Sequence, residues 1–115
     1  MKTFKKIAAQ GEFVIIRIDA IPADVDMVDV DPENGSHIIA HSETGHHHVM
    51  DALRVKAFTP KKPDIYTMFL QVDEPTEVQH LRGWDTHESI LVPTGNYIVK
   101  RQREYTPEGF RKVQD

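Results

Sequence analysis

Phe13-Val-Ile-Ile-Arg-Ile18 is the clearest β-strand in this chain. It consists mostly of β-branched and aromatic residues, which suit a pleated and buried surface. The run is shorter than a typical helix and is followed by Ile21-Pro22, which stops it. We therefore predict a buried strand at this position.

Further short apolar or alternating runs, separated by turn residues, continue along the chain. Pro32-Glu-Asn-Gly35 is a turn signal of the kind that joins the strands of a hairpin, and Thr59-Pro-Lys-Lys-Pro63 is a predicted loop. The other predicted strands are 23–33, 37–41, 46–50, 52–58, 65–72, 78–81, 89–92 and 97–105, the first of them an exposed edge strand. Residues 107–113 have room for one terminal helical turn. About eight short strands with regularly spaced turns predict one all-β domain over residues 1–115, a small barrel or sandwich.

The composition narrows the class of protein. A length of 115 residues suits one domain, and an apolar fraction of 39% predicts a modest core that association of subunits would extend. The net charge of −4 argues against a protein whose main task is binding nucleic acid backbones. The chain has no cysteine and no apolar run of the length of a leader or a membrane span. We therefore expect a cytoplasmic homo-oligomer without disulfides, thiolate metal sites or a membrane partner.

The segment His41-Ser-Glu-Thr-Gly-His-His-His48 is dense in histidine and carries most of the chemistry. If Thr44-Gly45 is the loop of a β-hairpin, His41 pairs with His48, and side chains alternate between the two faces. The residues that then share one face are His41, Glu43, His46 and His48, with His47 on the other face. A four-residue loop keeps the three histidines together, whereas an odd loop length separates them.

This set of residues predicts a metal site. Directly opposed residues have Cβ atoms about 4.5–5.5 Å apart, which suits two imidazoles that bind one ion at about 2.0–2.1 Å. Imidazoles with one carboxylate bind divalent zinc, manganese, iron or nickel, so the set does not select the metal. The predicted ligands are His41, His46, His48 and His87, with His80 and His37 as weaker candidates and Glu43 as ligand or general base. Such a site would activate water for hydrolysis, or orient a small acidic or sugar substrate.

Interpretations in which the histidines bind no metal and catalyse no reaction stay open. The histidines of a loop tip can simply be exposed to solvent and have no function. This interpretation applies most to His47, His37 and His80. The histidines could also lie at a subunit interface of a non-enzymatic, oligomeric assembly protein of phage origin, where they would respond to pH. A third alternative is a binding module without catalysis. A stoichiometric metal in the purified protein would separate the first hypothesis from the others.

Gly45-His46-His47-His48 resembles the first motif of the cupins, in which two histidines one residue apart and a later glutamate bind a metal inside a small β-barrel. Pro93-Thr94-Gly95 resembles the proline-x-glycine of the second cupin motif. This resemblance implies a cupin-like jelly roll and metal binding by His46 and His48. The later glutamate of the first motif and the histidine of the second have no counterpart here.

A second resemblance covers about half of the chain, from Glu43 to His48 and from His87 to Glu108. The pattern Glu-Thr-Gly-His-x-His, followed by Leu-x-Pro-x-Gly-x-Tyr-x-Val-x-Arg-Gln-Arg-Glu-Tyr-x-Pro-Glu, is similar to a set of small uncharacterised prokaryotic and phage proteins. This resemblance implies no activity.

Tyr97-Ile-Val-Lys-Arg-Gln-Arg-Glu-Tyr105 is the one basic and aromatic stretch. An anion or a single-stranded nucleic acid could stack and pair there. Ion pairs between strands explain its arginines without any ligand, so we expect no nucleic acid partner. The acidic residues between Asp24 and Asp31 are more typical of a charged edge strand that resists aggregation than of a calcium loop.

Overall fold

The computed structural model describes residues 2–10, 13–40, 48–62, 67–80 and 90–101. Within these ranges the chain forms strands and no helix. The strands are β1 (Lys2–Thr3), β2 (Ile7–Gln10), β3 (Phe13–Ile18), β4 (Met27–Asp29), β5 (Ser36–Ala40), β6 (His48–Asp51), β7 (Val55–Pro60), β8 (Met68–Val72), β9 (Thr76–His80), β10 (Ile90–Val92) and β11 (Gly95–Arg101). The described part therefore contains no helix that is long and apolar enough to span a membrane.

The strands form two sheets. The larger sheet has six strands in the order β2-β3-β11-β8-β7-β4, and the smaller has five in the order β1-β10-β9-β6-β5. The two-residue strand β1 pairs in parallel with β10, whereas the other pairings are antiparallel. The hairpins β2–β3, β5–β6, β7–β8 and β9–β10 each stay within one sheet. From β4 onward the chain therefore changes sheets between hairpins.

The two sheets bury their inner faces against each other. Alternate residues of the strands reach one apolar cluster, as expected when two sheets pack face to face. The larger sheet contributes Phe13, Ile15, Val55, Ala57, Leu70, Val72, Tyr97 and Val99, and the smaller contributes Ile39, Met50, Val78, Ile90 and Val92. The predicted all-β domain is thus confirmed in a sandwich-like arrangement. The cupin-like jelly roll stays a prediction, and the hairpins within single sheets favour a simpler sandwich.

Most predicted strands overlap strands of the structure, and β3 has the predicted bounds. β1 and β2 have no counterpart among the predictions. Ile7-Ala-Ala-Gln10 contains a single β-branched residue, so its strand conformation follows from pairing with β3 rather than from local propensity. The end of the predicted strand 97–105 and the predicted helical turn 107–113 lie outside the described residues.

Three predicted boundaries are wrong. The predicted strand 52–58 starts later than expected, because residues 52–54 form a turn and β7 begins at Val55. The expected edge strand over 23–33 is reduced to β4, and the expected loop over 59–63 begins later, because β7 continues to Pro60. Pro60 pairs with Met27 of β4, while the pairing of β7 with β8 ends at Phe58. At Pro60, β7 is therefore paired with a neighbouring strand on one side only. Proline, which has no N–H to donate, is tolerated at such a position.

The predicted turn before the histidine hairpin is confirmed at Asn34-Gly35. These two residues have φ values of 52° and 77°. Glu33 and Ser36 exchange backbone hydrogen bonds of 2.8 and 3.0 Å. Positive φ at both central residues is the geometry of a type I′ turn, which matches the twist of the flanking strands. This turn leads directly into β5.

Arg17 ties the segments that precede β2 and β11 to the larger sheet. Its Nε donates to the carbonyl of Lys5 at 2.8 Å, and its Nη1 donates to the carbonyl of Thr94 at 3.2 Å. Its guanidinium carbon lies 5.1 Å from the ring centroid of Tyr97, a cation–π contact. Tyr97 is buried, and its hydroxyl donates to the carbonyl of Pro93 at 2.7 Å. Burial raises the pKa of the Tyr97 phenol, and the charge of Arg17 acts in the opposite direction.

Candidate metal centre

The hairpin formed by β5 and β6 confirms that two strands flank the histidine-dense segment. His37 pairs with Met50. The register shifts between Ile38 and Ala40, and Ala40 then pairs with His48. Such a β-bulge adds one residue to one strand and changes the alternation of side chains beyond it.

The predicted pairing of His41 with His48 is wrong, because Ala40 occupies the position opposite His48. An odd number of residues, 41–47, joins these two paired positions. The alternation that placed His41 on the face of His48 assumed a regular ladder, which the bulge interrupts. The shared face of His46 and His48 does not depend on that pairing and stays a prediction.

The side chain of His48 points into the sandwich. It is 7% exposed, and its ring meets that of Phe13 edge to face, with centroids 4.8 Å apart and planes at 69°. Phe13 belongs to the opposite sheet and to the core cluster. Met50, two residues further along β6, is fully buried in the same cluster, as alternation on a strand requires. The hairpin therefore carries a nitrogen donor on its inner face.

His37 is the second buried histidine of this hairpin. It is 4% exposed, and its Nδ1 has no hydrogen-bond partner in the described part of the chain. Burial lowers the pKa of its imidazole below the ordinary value of 6.5, and a hydrogen bond with the backbone of Val55 acts in the opposite direction. The imidazole is therefore neutral at physiological pH.

His80 occupies the position directly opposite His48 on the neighbouring strand β9. The adjacent pair in the same register is Val49 with Gln79. Val78 is 1% exposed and belongs to the core cluster, so position 80, two residues later, lies on the inner face of the sheet. Two histidine positions thus adjoin on neighbouring strands.

This pair of positions lies where two segments outside the described residues join the sheet. β6 begins at His48 directly after residues 41–47, and β9 ends at His80 directly before residues 81–89. The predicted site residues in those two segments are His41, Glu43, His46 and His87, so their roles stay predictions. Among the side chains that the structure describes, no three histidines or carboxylates form a group able to hold a metal.

The sequence made His80 and His37 weaker candidates than His87, because His87 begins the segment that leads into the predicted strand 89–92. The alternation of Thr76, Val78 and His80 with Glu77 and Gln79 was the available signal for an inward position of His80. Its partner His48 lies 32 residues earlier in the chain, and nothing in the local pattern identifies that partner. The pairing with His48 therefore emerges only from the sheet topology.

The region that holds these histidines matches a known family model. Residues 9–102 match the model of a family described as Domain of unknown function (DUF8820). No curated protein and no solved structure matches the chain. The matched region extends from within β2 to just beyond the end of β11 and includes both His48 and His80.

Proposed function

This chain belongs to the family Domain of unknown function (DUF8820), a description that assigns no activity, and we propose that it binds a divalent metal ion at the end of the histidine hairpin. The ion is zinc, manganese, iron or nickel, all of which accept imidazole and carboxylate ligands. The proposed ligands are His41, His46, His48 and His87, with Glu43 as ligand or general base.

The inward direction of His48 is the observation that carries this proposal. A solvated loop tip or a contact with another subunit would leave this side chain accessible in the single chain, yet it is buried against Phe13. Neutral imidazoles are frequent protein ligands of first-row transition metals. A donor on the inner face also places an ion beside the apolar interior, which limits access of solvent to it.

The chemistry of the site depends on Glu43 and on a small substrate. A divalent ion supplies a positive charge that lowers the pKa of a water molecule and orients an anionic group. A carboxylate within hydrogen-bonding reach of such a water accepts its proton as a general base, which is the role we assign to Glu43. We therefore propose a small hydrolytic site, or one that binds a small acid or sugar.

A non-enzymatic homo-oligomer is the second candidate, and the outer face of the larger sheet favours it. One row of apolar residues crosses this face in register, namely Ile7, Ile16, Ile98, Phe69 and Phe58. Ile7 is 42% exposed, and three others of the row are partly exposed. A continuous apolar row of this kind suits packing against a second copy of the chain.

Sedimentation of the protein at high micromolar concentration tests this second candidate. We expect a symmetric dimer or ring, because such assemblies cover the same face of every subunit. A monomer at that concentration would contradict an assembly role.

The metal content of untagged protein, purified without added metal, tests the first candidate. We expect a stoichiometric divalent ion by elemental analysis. Thermal melting at about pH 7.5 provides the second readout, because a ligand that binds only the folded state raises the melting temperature. Added zinc, manganese or nickel should raise it, and a chelator should lower it.

Two histidine variants of the same hairpin make this test specific. His48→Gln removes a metal-binding nitrogen but keeps a polar side chain of similar size, so it should abolish the response to metal. His37→Gln alters the other buried histidine, which lies outside the proposed ligand set, and should retain the response. His47→Ala should also retain it. Melting curves indifferent to metal and chelator between about pH 6 and pH 8 would contradict metal binding.

A further inference from the structure

We propose that two copies of this chain pair edge to edge through β2, antiparallel across a two-fold axis, so that their larger sheets become one continuous sheet. This inference rests on the homo-oligomer proposed above as the second candidate function, and it names the strand that forms the interface. β2 (Ile7–Gln10) is an outer strand of the larger sheet, and within the described ranges it pairs with β3 alone.

The free edge of β2 presents backbone groups whose direction follows from the ladder with β3. The N–H of Arg17 donates to the carbonyl of Lys6 at 2.7 Å, so Lys6 turns its backbone groups toward β3. Because direction alternates along an antiparallel pair, Ala8 does the same, whereas Ile7 and Ala9 turn theirs away from the sheet. Their N–H and C=O groups are therefore in position to bond a further strand.

The other three outer strands are protected against such pairing. Natural sheets block their edges with short strands, charges, prolines and bulges. β1 has two residues, and β4 has three and carries Asp29. β5 contains the bulge between Ile38 and Ala40, and the backbone of Ser36 on its free edge is already bonded to Glu33. β2 has four residues and contains no charge, proline or bulge, so among these outer strands it is the one suited to accept another.

Exposed apolar surface reaches the same edge. Ile7 ends the apolar row on the outer face of the larger sheet, where it pairs with Ile16 and is 42% exposed. Backbone hydrogen bonds formed on association replace bonds to water, so their net contribution is small. Burial of apolar surface supplies the larger gain. A second β2 placed beside Ile7 covers this end of the row, which favours pairing at this edge.

The hydrogen-bond pattern selects a register for the pair. Residues that turn their backbone groups outward on one copy must lie opposite outward residues on the other. With Ala8 opposite Ala8 of the second copy, Ile7 lies opposite Ala9 of the second copy, and the two-fold axis repeats this contact. Lys6 then lies opposite Gln10 of the second copy, so no like charges oppose each other.

A second copy suits this edge better than an extended segment of another protein. Strand addition by such a segment is a common mode of recognition, but it needs a partner with matching side chains. Two β2 strands are complementary by symmetry, and their pairing covers both free edges and closes at two copies. An edge reserved for another protein would leave the pure chain monomeric, so sedimentation separates the two cases.

Two proline variants of the full chain provide the first test. Ala9→Pro removes an N–H from the free edge but no hydrogen bond between β2 and β3. Asp29→Pro is the matched control, because it lies on the opposite outer strand of the same sheet. There the N–H of Val30 donates to the carbonyl of Ala57 at 2.9 Å, so the N–H of Asp29 points away from β7.

Sedimentation over a range of concentrations up to high micromolar measures the dissociation constant, after circular dichroism has established that each variant is folded. We expect a dimer for the wild type. Ala9→Pro should weaken association at least about tenfold, because symmetry removes one hydrogen bond from each copy. Asp29→Pro should associate like the wild type.

A cysteine variant gives a second readout that needs no proline. The chain contains no cysteine, so Ala8→Cys can form a disulfide only between copies. In the proposed register Ala8 opposes itself in a pair without direct hydrogen bonds, where Cα atoms lie about 4.5 Å apart. That spacing is within the range of about 4.4–6.8 Å that disulfides span. We expect a covalent dimer under mild oxidation, whereas Asp29→Cys should stay largely unlinked.

The outcomes separate this inference from the function on which it rests. A wild-type protein that is monomeric at high micromolar concentration contradicts the homo-oligomer itself. A wild-type oligomer that a folded Ala9→Pro variant leaves unchanged contradicts pairing through β2 and leaves association through another surface in place. Where Ala9→Pro does not fold, the yield of the Ala8→Cys disulfide relative to Asp29→Cys decides, and equal yields contradict the pairing.

Discussion

The imidazole of His48 packs edge to face against the phenyl ring of Phe13, with the ring centroids 4.8 Å apart. The two residues belong to different sheets, so this contact joins the two layers of the sandwich. Aromatic pairs of this kind contribute about 0.5–1.5 kcal/mol beyond the area they bury. Phe13→Leu should therefore lower the free energy of unfolding by about 1–2 kcal/mol in urea titrations. In a double-mutant cycle with His48→Leu, strict additivity would show that the rings do not interact.

Lower pH should destabilise the domain, because His37 is buried in its neutral form. Burial lowers its pKa in the folded chain below 6.5, despite the opposing hydrogen bond with the Val55 backbone. As the pH falls, the unfolded chain therefore takes up this proton first. The free energy of unfolding should be unaffected well above about pH 6.5 and should fall from there through the folded pKa.

The variant His37→Leu isolates this contribution from that of the other histidines. Urea unfolding at about pH 7.5 and at about pH 5.5 gives the stability lost between the two conditions. That loss should be smaller in His37→Leu than in the wild type, because leucine cannot be protonated. Equal losses in the two proteins would contradict the burial of a neutral imidazole at this position.

Gly95→Ala should destabilise the start of β11. Gly95 has a φ of 154°, which L residues rarely adopt, and a Cβ built there would lie 2.5 Å from Nη1 of Arg17. Arg17 cannot move without weakening its hydrogen bonds with Lys5 and Thr94. We expect a loss of about 1–3 kcal/mol, measured by urea unfolding. In an Arg17→Ala background the loss should be smaller, because only the backbone strain remains.

Tyr97→Phe should cost about 0.5–1.5 kcal/mol, because it removes the hydrogen bond to the carbonyl of Pro93 and little else. The ring keeps its contact with Phe4, whose centroid lies 5.7 Å away, and its contact with Arg17. Thermal melting and urea unfolding measure the change. A variant as stable as the wild type would show that water replaces the lost donor.

Local sequence patterns predicted the strand class well, because propensity and turn chemistry act over a few residues. β3 follows from a β-branched run, and the turn at Asn34-Gly35 follows from the two residue types that best tolerate positive φ. The register of the histidine hairpin was not predictable in this way. Ile38-Ile39-Ala40 is uniformly apolar, so no alternation in the sequence reveals that a bulge lies there.

The candidate site was predictable only in part. The inward position of His48 agrees with the predicted strand, but its neighbour His80 comes from a strand that is brought alongside by the assembly of the smaller sheet. The direct pairing of His41 was wrong because a bulge, rather than a regular ladder, precedes it. The predicted roles of Glu43, His46 and His87 await the metal titrations.

The position of β11 delays the folding of the larger sheet during synthesis of the chain. This strand, residues Gly95–Arg101, lies between β3 and β8 in the larger sheet, so the β2–β3 hairpin cannot join that sheet before residue 101 has been synthesised. At translation rates of about 5–20 residues per second, β3 waits on the order of seconds with the edge that β11 will cover still open. Contacts of such long range also slow folding itself, to milliseconds or seconds in all-β domains. The nascent chain, with its apolar Phe13–Ile18 strand unpaired on that edge, is therefore more vulnerable to aggregation than the finished sandwich.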